Sequence, residues 1–168
     1  CWISRGSFTG FFQYSPCKNG NKFVTNVIQT NAISFFLAQT WGFHRQGSCQ
    51  AGMSAAVTKD GKRLFVGAPG SFYWQGQVFA HDLENQTSLE TGKSGREDDD
   101  TFSGYSMTVG QFSSDYEYDV AIGQPKGNNY TGRVVIFSST LGHVASIDGE
   151  LPGAYFGYSL ATADVNGD

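Results

Sequence analysis

The sequence predicts an all-β protein built from repeated modules, and three observations support this prediction. Similar stretches open at Gly52, Gly104 and Gly157, which lie 52 and 53 residues apart. The chain is rich in glycine, with 22 residues, and in aromatic residues, whereas charged residues make up only 15% of it, a composition that fits many tight turns. Short apolar runs end in glycine followed by proline. A fixed period of this size indicates stacked or ringed modules.

Within each module the hydrophobic pattern is that of short strands. Residues 63–67 and 119–123 are apolar runs, which is typical of strands buried on both faces. Residues 76–80 and 132–137 follow and are rich in Val, Ile and Phe, which favour strands. A leading segment with small residues opens each module, and the three candidates are residues 53–57, 105–109 and 158–163. No stretch repeats apolar residues at helical spacing, so we expect little helix.

The module size predicts a propeller. About fifty residues provide roughly four strands of five or six residues plus turns, which is the size of one propeller blade. A single sheet cannot cover both of its faces, whereas blades arranged around an axis cover one another. A β-sandwich is the alternative, but it does not explain glycines and prolines that recur in register. The polar residues 84–100 are predicted to connect two blades.

Charge and cysteine content narrow the class of protein. The net charge is −4, the isoelectric point is about 5.2, and no cluster of Lys and Arg is present, which disfavours a nucleic-acid partner. Asn85 and Asn129 each begin a glycosylation sequon in a turn-rich stretch. Together with the cysteines, they favour an extracellular protein. Because the chain starts at Cys1 and stops at Asp168, inside the third module, we expect an internal fragment.

The modules resemble the FG-GAP repeats of the integrin α-subunit propeller. Phe156 and Gly157 provide the FG element, and residues 67–69 read Gly-Ala-Pro. Residues 67–77 resemble the third blade of integrin α chains, and the resemblance covers most of the chain. It implies a fragment of a seven-bladed β-propeller with about four antiparallel strands per blade. The resemblance implies four divisions. Residues 1–50 would be the end of blade two and an excursion between blades, and residues 51–101 would be blade three and its connection to blade four. Residues 102–155 would be blade four, and residues 156–168 the start of blade five.

The resemblance also implies a function. An integrin α subunit is part of a cell-surface adhesion receptor and binds an extracellular-matrix ligand together with a β subunit. The receptor mediates cell–matrix adhesion and signalling. The α subunit crosses the membrane once, and we expect this span in a part of the full-length chain beyond this fragment. No room for an inserted I domain exists between blades two and three. Residues 70–77 and 125–128 are similar to those of α chains that bind Arg-Gly-Asp ligands. Laminin-binding α chains remain an alternative, because residues 47–50 also resemble theirs.

Nothing in the sequence indicates an enzyme. The three histidines lie in separate segments, and no nucleophile elbow, phosphate loop or Cys-x-x-Cys pair is present. Two further alternatives stay open, namely an FG-GAP accessory ring of a secreted hydrolase and a matrix- or carbohydrate-binding propeller without a β partner.

Two loops are candidate calcium sites. Asp164, Asn166 and Asp168 place side-chain oxygens at positions one, three and five of a tight loop, and oxygen ligands suit Ca²⁺. The alternative is an Asx-rich turn. Residues 111–119 form a weaker version that retains Asp115 and Asp119, so calcium and a plain polar turn remain equally open there.

The turn at residues 58–62 carries two lysines, and no metal is expected in it.

The acidic run at residues 97–100 is a candidate ligand site, although charge alone favours a solvated loop. The resemblance implies that an Asp five residues before the blade-four glycine accepts the ligand's Arg, and this position is Asp99. A carboxylate pairs with a guanidinium through two parallel hydrogen bonds. Phe72 and Tyr73 would flank the Arg stem as aromatic walls, but packing between blades explains Phe72 equally well.

One position departs from the Arg-Gly-Asp pattern. Members of that group commonly carry an Asp about five residues before the second cysteine of the excursion, whereas this chain has His44. Trp41 and Phe43 lie nearby and would form an apolar rim to the ligand site instead.

The resemblance implies two further sets of residues. Tyr105, Tyr155 and Tyr158 would face the central opening and form an aromatic cage for a cation of the β subunit, or would fill the channel by packing. Cys17 and Cys49 would form a disulfide, which stabilises a loop of this length by about 3–4 kcal/mol in the chain-entropy model. Cys1 would pair with a cysteine upstream of this fragment.

Overall fold

The structure, a computed structural model, describes residues 48–113 and 117–164, together with the backbone of two short strands. These strands, β1 (Trp2–Ser4) and β2 (Gln13–Ser15), pair in antiparallel orientation with Ile3 opposite Tyr14. In the part of the chain that is described, no helix is long and apolar enough to cross a membrane.

Two four-stranded antiparallel sheets form the framework of the described structure. Sheet I contains β3 (Ser54–Val57), β4 (Arg63–Ala68), β5 (Gln77–Asp82) and β6 (Ser88–Glu90), in that order. Sheet II contains β7 (Ser106–Gly110), β8 (Asp119–Gln124), β9 (Arg133–Phe137) and β10 (His143–Asp148), also with sequential neighbours. Among residues 48–113 and 117–164, helix is limited to three single turns, α1 (Ser71–Trp74), α2 (Gly127–Tyr130) and the 3-10 turn Arg96–Asp98. The predicted all-β fold of four-stranded modules is therefore confirmed.

The connection between the sheets is shorter than the sequence predicted. Residues 88–90 lie inside the polar segment that we expected to be a connection, yet they form β6 and pair with β5, with Leu89 opposite Ala80. All three residues of β6 are exposed. An outermost strand pairs through backbone hydrogen bonds on one side only, and its side chains need not be apolar. The sequence of β6 therefore lacks the apolar pattern from which a strand is predicted. We call residues 91–103 the acidic connection.

The third predicted leading strand, at residues 158–163, is absent from the described structure, where this segment forms a bend followed by irregular backbone. A strand exists only through pairing with a neighbour, and none of the described strands pairs with this segment. The segment nevertheless touches sheet II, because the hydroxyls of Thr108 and Thr162 lie 2.6 Å apart.

The predicted repeat is confirmed in the backbone. Gly52, Gly104 and Gly157 have φ values of 92°, 86° and 84°, so each occupies the left-handed region that glycine tolerates. The strand registers match as well, because Ser54 lies opposite Gly67 in sheet I and the equivalent serine of sheet II, Ser106, lies opposite Gly123.

These glycines are the points at which one module touches the next. A Cβ added to Gly67 would overlap the carbonyl oxygen of Gly104, and a Cβ added to Gly123 would overlap that of Gly157. A serine hydroxyl stabilises each contact by a hydrogen bond. Ser54 Oγ donates to the Gly104 carbonyl oxygen at 2.7 Å, and Ser106 Oγ donates to the Gly157 carbonyl oxygen at 2.6 Å. The interface therefore repeats in the same chemical form.

An apolar core fills the space between the two sheets. It joins buried residues of both sheets, which are Phe65, Val78, Ala80, Met107, Val120 and Ile122. A second cluster covers the opposite face of sheet I and consists of Cys49, Ala51, Leu64, Val66, Ala68 and Phe79. Strand β4 contributes to both clusters, which explains why its sequence is apolar without alternation. Each fully buried Val or Phe stabilises the fold by about 1.5–3 kcal/mol relative to exposure.

A polar link joins the sheets at their other end. Arg63 of β4 donates from Nη1 to the carbonyl oxygen of Ser139 at 2.6 Å and lies 3.4 Å from Asp82 of its own sheet. The guanidinium is half-buried, so this link is screened less than one at the surface.

Substituting Gly67 tests the close approach of the two sheets. Gly67→Ala forces the backbone of Gly104 away, and we expect it to destabilise the fold by about 1–3 kcal/mol, as overpacking does. Gly92→Ala is the control, because a Cβ there has no atom within 4 Å. The melting temperature of the purified protein should fall for the first variant and not for the second. Equal melting temperatures would contradict the close contact.

Candidate binding surface

The turn that follows β4 has an uncommon backbone. Phe72, Tyr73 and Trp74 have φ values of 51°, 60° and 59°, and thus form a left-handed turn inside α1. This conformation costs roughly 1–2 kcal/mol per residue for L-amino acids. Backbone hydrogen bonds close the turn, from Gln75 N to Phe72 O at 3.3 Å and from Gly76 N to Ser71 O at 3.0 Å. Three consecutive strained residues are typical of sites that present side chains.

A matching turn in sheet II follows β8. Asn128, Asn129 and Tyr130 have φ values of 49°, 54° and 65° inside α2. Asparagine adopts this conformation more readily than most residues, so the Asn-Asn pair was a signal for it. The aromatic sequence of the first turn gave no such signal, and the sequence did not reveal its handedness.

The acidic connection runs alongside the first turn. Asp100 N donates to Tyr73 O at 3.1 Å, Phe102 N to Trp74 O at 2.8 Å, and Ser103 N to Gln75 O at 2.8 Å. These hydrogen bonds bring the aromatic turn and the acidic run together.

The side chain of Asp99 is partly engaged. Its Oδ1 accepts a hydrogen bond from Gln75 Nε2 at 2.6 Å and lies 3.9 Å from Lys93 Nζ. Its Oδ2 has no hydrogen bond among the residues that the structure describes. The side chain is 33% exposed.

The neighbouring Asp100 is the more accessible carboxylate, and the sequence reasoning missed it. Asp100 is exposed with φ of 65°, and its carboxylate makes no hydrogen bond or ion pair within the described part of the chain. The available signal was the pair of consecutive aspartates. Counting positions from Gly104 selects one of them and carries no information on which side chain points outward.

The aromatic residues predicted to flank the ligand differ in exposure. Phe72 is 9% exposed and packs inside the molecule. Tyr73 is half-buried, and Lys93 Nζ lies 5.9 Å from its ring centroid, a position in which the ring attracts a cation. Trp41, predicted at the rim, lies outside the described residues, as does His44.

Two of the three predicted cage tyrosines meet. The rings of Tyr105 and Tyr158 have centroids 4.8 Å apart, and Tyr105 Oη donates to Tyr158 Oη at 2.8 Å. This hydrogen bond and, secondarily, desolvation raise the pKa of Tyr105 above its ordinary value. Tyr155 is 40% exposed and is linked to the pair through its carbonyl, which accepts from Tyr158 N at 3.0 Å.

The predicted calcium residues lie partly outside the described structure. Asp115, Asn166 and Asp168 are not described, and Asp164 is exposed. Asp119 is fully buried, and its Oδ2 accepts hydrogen bonds from the backbone N–H groups of Phe112 and Ser113 at 3.1 and 2.8 Å and from the Ser113 hydroxyl at 2.7 Å. Its Oδ1 is buried without a hydrogen-bond partner in the described part of the chain. Within that part, no three acidic, histidine or cysteine residues cluster as a metal site would need.

The covalent sites are also only partly described. Cys49 is 2% exposed and forms a disulfide whose partner lies outside the described residues, so its pairing with Cys17 stays a prediction. Asn85 and Asn129 are both exposed on turns. The backbone of Asn85 is fixed by Asp82, whose Oδ1 accepts its N–H at 2.8 Å, and this bond is the largest cause that lowers the pKa of Asp82.

Comparison with known proteins shows the family to which the chain belongs. No family model matches the chain. Integrin alpha-PS2 of Drosophila melanogaster is 40% identical to it over 196 residues, and that alignment covers 100% of the chain. The chain belongs to the integrin α family. Integrin alpha-5 of Xenopus laevis is 34% identical over 183 residues and also matches 100% of the chain, and integrin alpha pat-2 of Caenorhabditis elegans is 41% identical over 133 residues and matches 76% of it.

The chain spans only a small part of these integrin α relatives. It covers 12% of the Drosophila protein, 16% of the Xenopus protein and 11% of the Caenorhabditis protein. In this family the two antiparallel sheets correspond to neighbouring blades of the β-propeller.

Proposed function

We propose that this chain is the ligand-reading part of a cell-surface adhesion receptor that binds an extracellular-matrix protein together with an integrin β subunit. In this proposal the receptor mediates cell–matrix adhesion and signalling and is anchored by one membrane span elsewhere in the full-length chain. The observation that carries the proposal is the ladder of backbone hydrogen bonds that holds the acidic connection against the left-handed aromatic turn. Carboxylates and an aromatic face meet there at the surface.

The chemistry of this surface suits a basic side chain. A guanidinium pairs with a carboxylate through parallel N–H···O bonds, and Asp99 Oδ2 and the Asp100 carboxylate are both unbonded among the described residues. Tyr73 adds a ring that already attracts the Lys93 ammonium. We therefore propose the Arg of an Arg-Gly-Asp sequence as the ligand group, with Asp99 as the acceptor named by the family resemblance and Asp100 beside it.

Removing the two carboxylates separately tests the ligand site. In cells that express the full-length heterodimer, Asp99→Ala should abolish adhesion to an Arg-Gly-Asp surface and leave surface expression intact, since truncating one side of a charge pair costs about 2–5 kcal/mol. We expect Asp100→Ala to weaken adhesion as well. Glu84→Ala is the control, because Glu84 is an exposed acid that forms an ion pair with Lys62, in the turn before β4. Adhesion that survives both aspartate substitutions would refute the proposed site.

The β subunit is proposed to contact the Tyr105–Tyr158 pair. The rings of Tyr105 and Tyr158 are tilted by 44° to each other, and Tyr158 and Tyr155 are 58% and 40% exposed. Aromatic rings attract cations, and the family resemblance implies that these residues face the central opening.

A pair of substitutions at Tyr158 tests this contact. Tyr158→Phe keeps the ring and loses only the hydroxyl bond, so the heterodimer should still assemble. Tyr158→Ala removes the ring, and we expect less β subunit to co-precipitate with the α chain. Tyr130→Ala, at another exposed tyrosine, serves as the control. Normal assembly of Tyr158→Ala would exclude this tyrosine from the interface.

Calcium is proposed for both acidic loops, with Asp115 and Asp119 in the first and Asp164, Asn166 and Asp168 in the second. Asp119 Oδ1 supports the first site, because a buried carboxylate oxygen without a partner is costly and a cation would satisfy it. The three donors that fix Oδ2 leave Oδ1 to face that ion. When bound, calcium would tie the two ends of the loop together.

Calcium should raise the melting temperature of the ectodomain, because an ion that binds only the folded state stabilises it by about 2.7 kcal/mol at one hundred times its Kd. Asp119→Asn should reduce the rise between chelator and calcium buffer. Asp60→Asn should leave the rise unchanged, because Asp60 lies in the turn where no metal is expected and hydrogen bonds to Lys62 N. An equal calcium effect in both variants would remove Asp119 from the site.

The exposed Asn85 and Asn129 are proposed to carry N-linked glycans, since both lie in sequons on surface turns.

A further inference from the structure

One buried glutamine contacts the acidic connection from end to end. We propose that Gln75 is a positioning residue that acts through Asp99 and fixes the direction of its free oxygen toward the ligand, an inference that rests on the proposed ligand site. Gln75 itself is 4% exposed and lies between the left-handed turn and β5, so it does not meet the ligand.

The side-chain amide of Gln75 is satisfied by the connection alone. Nε2 donates to the carbonyl oxygen of Gly95 and to Asp99 Oδ1, both at 2.6 Å, with Ser94 O at 3.4 Å as a weaker third acceptor. Oε1 accepts from Ser94 N at 3.1 Å. The orientation of the amide is unambiguous, because a flipped group would turn its oxygen toward a carbonyl and a carboxylate, neither of which has a hydrogen to donate.

The main chain of Gln75 also binds the acidic connection. Its carbonyl oxygen accepts from Ser103 N at 2.8 Å and from the Thr101 hydroxyl at 3.0 Å. Gln75 thus binds the connection before, at and after the acidic run.

A cavity of about 240 Å³ lies between the acidic connection and strands β9 and β10. Its walls include Gln75, Ser94, Asp98, Thr101, Arg133 and His143, with Val135 and Phe137 on the side of β9. The polar contacts of Gln75 hold the connection above this cavity. A buried amide left without partners costs about 1–3 kcal/mol, so the amide favours the bonded arrangement over an open one.

The neutral amide suits this role. It fixes Asp99 Oδ1 by a hydrogen bond without cancelling the negative charge, and Lys93 at 3.9 Å is too far for a tight pair. The charge remains available at Oδ2, which has no bond among the described residues. A lysine in place of Gln75 would hold the carboxylate but would compete with a cationic ligand.

The test measures binding of an Arg-Gly-Asp peptide to the purified full-length heterodimer for Gln75→Ala, Asp99→Asn and the double variant. Gln75→Ala should weaken binding roughly tenfold per folded receptor. If Gln75 acts through Asp99, the double variant should bind no more weakly than Asp99→Asn alone. Additive losses, or normal binding by Gln75→Ala, would overturn the positioning role. Normal binding by Asp99→Asn would instead overturn the proposed ligand site itself, and the inference with it.

The pH dependence of ligand binding by Gln75→Glu distinguishes a positioning role from a merely structural one. At about pH 7.4 the new carboxylate repels Asp99 and donates no hydrogen bond, so binding should fall. Two facing carboxylates raise one pKa, so at about pH 5.5 one of them is protonated and donates to the other. Binding relative to wild type should then recover at the lower pH. Gln124→Glu, at a half-buried glutamine that lines the same cavity, should show no such recovery. A pH profile of Gln75→Glu parallel to that of wild type would contradict the proposal.

Discussion

Direct contact between glycine backbones is the constraint on which the rest of this structure depends. Gly67 and Gly104 approach so closely that no side chain fits between them, and Gly123 repeats this with Gly157. The approach brings the two sheets near enough for Phe65 and Val78 to share one core with residues of sheet II. The same proximity puts the acidic connection in hydrogen-bonding reach of the turn that follows β4. The apolar core and the candidate binding surface therefore both depend on this contact between glycines.

The fold was largely predictable because its main signals are periodic. Glycines at a fixed interval and apolar strands that end in glycine arise from the same packing requirement, which repeats in each module. Strand β6 escaped prediction because its three exposed residues pair only through the backbone, which any sequence provides. The segment at residues 158–163 has the composition of a leading strand, but composition does not supply the neighbour with which a strand pairs.

The candidate binding surface was predictable only in outline. The family resemblance selected the acidic run, the aromatic turn and the tyrosines. In the structure, Asp100 N donates to Tyr73 O, and the hydroxyl of Tyr105 donates to that of Tyr158. The resemblance could not reveal that Gln75 occupies one oxygen of Asp99, because a glutamine between a turn and a strand has no sequence signature. It could not distinguish Asp99 from Asp100 either, since the direction of a side chain in an irregular segment depends on φ and on long-range hydrogen bonds.

The two left-handed turns have the same backbone conformation but different side chains. Main-chain hydrogen bonds close both turns, from Gly76 N to Ser71 O in one and from Gly132 N to Gly127 O in the other, each at 3.0 Å. The three left-handed residues of the first turn are aromatic and those of the second are mostly amides, yet the backbone conformation is the same. A scaffold of this kind tolerates exchange of its tip residues, so new recognition properties can evolve there while the architecture of the ring is left untouched.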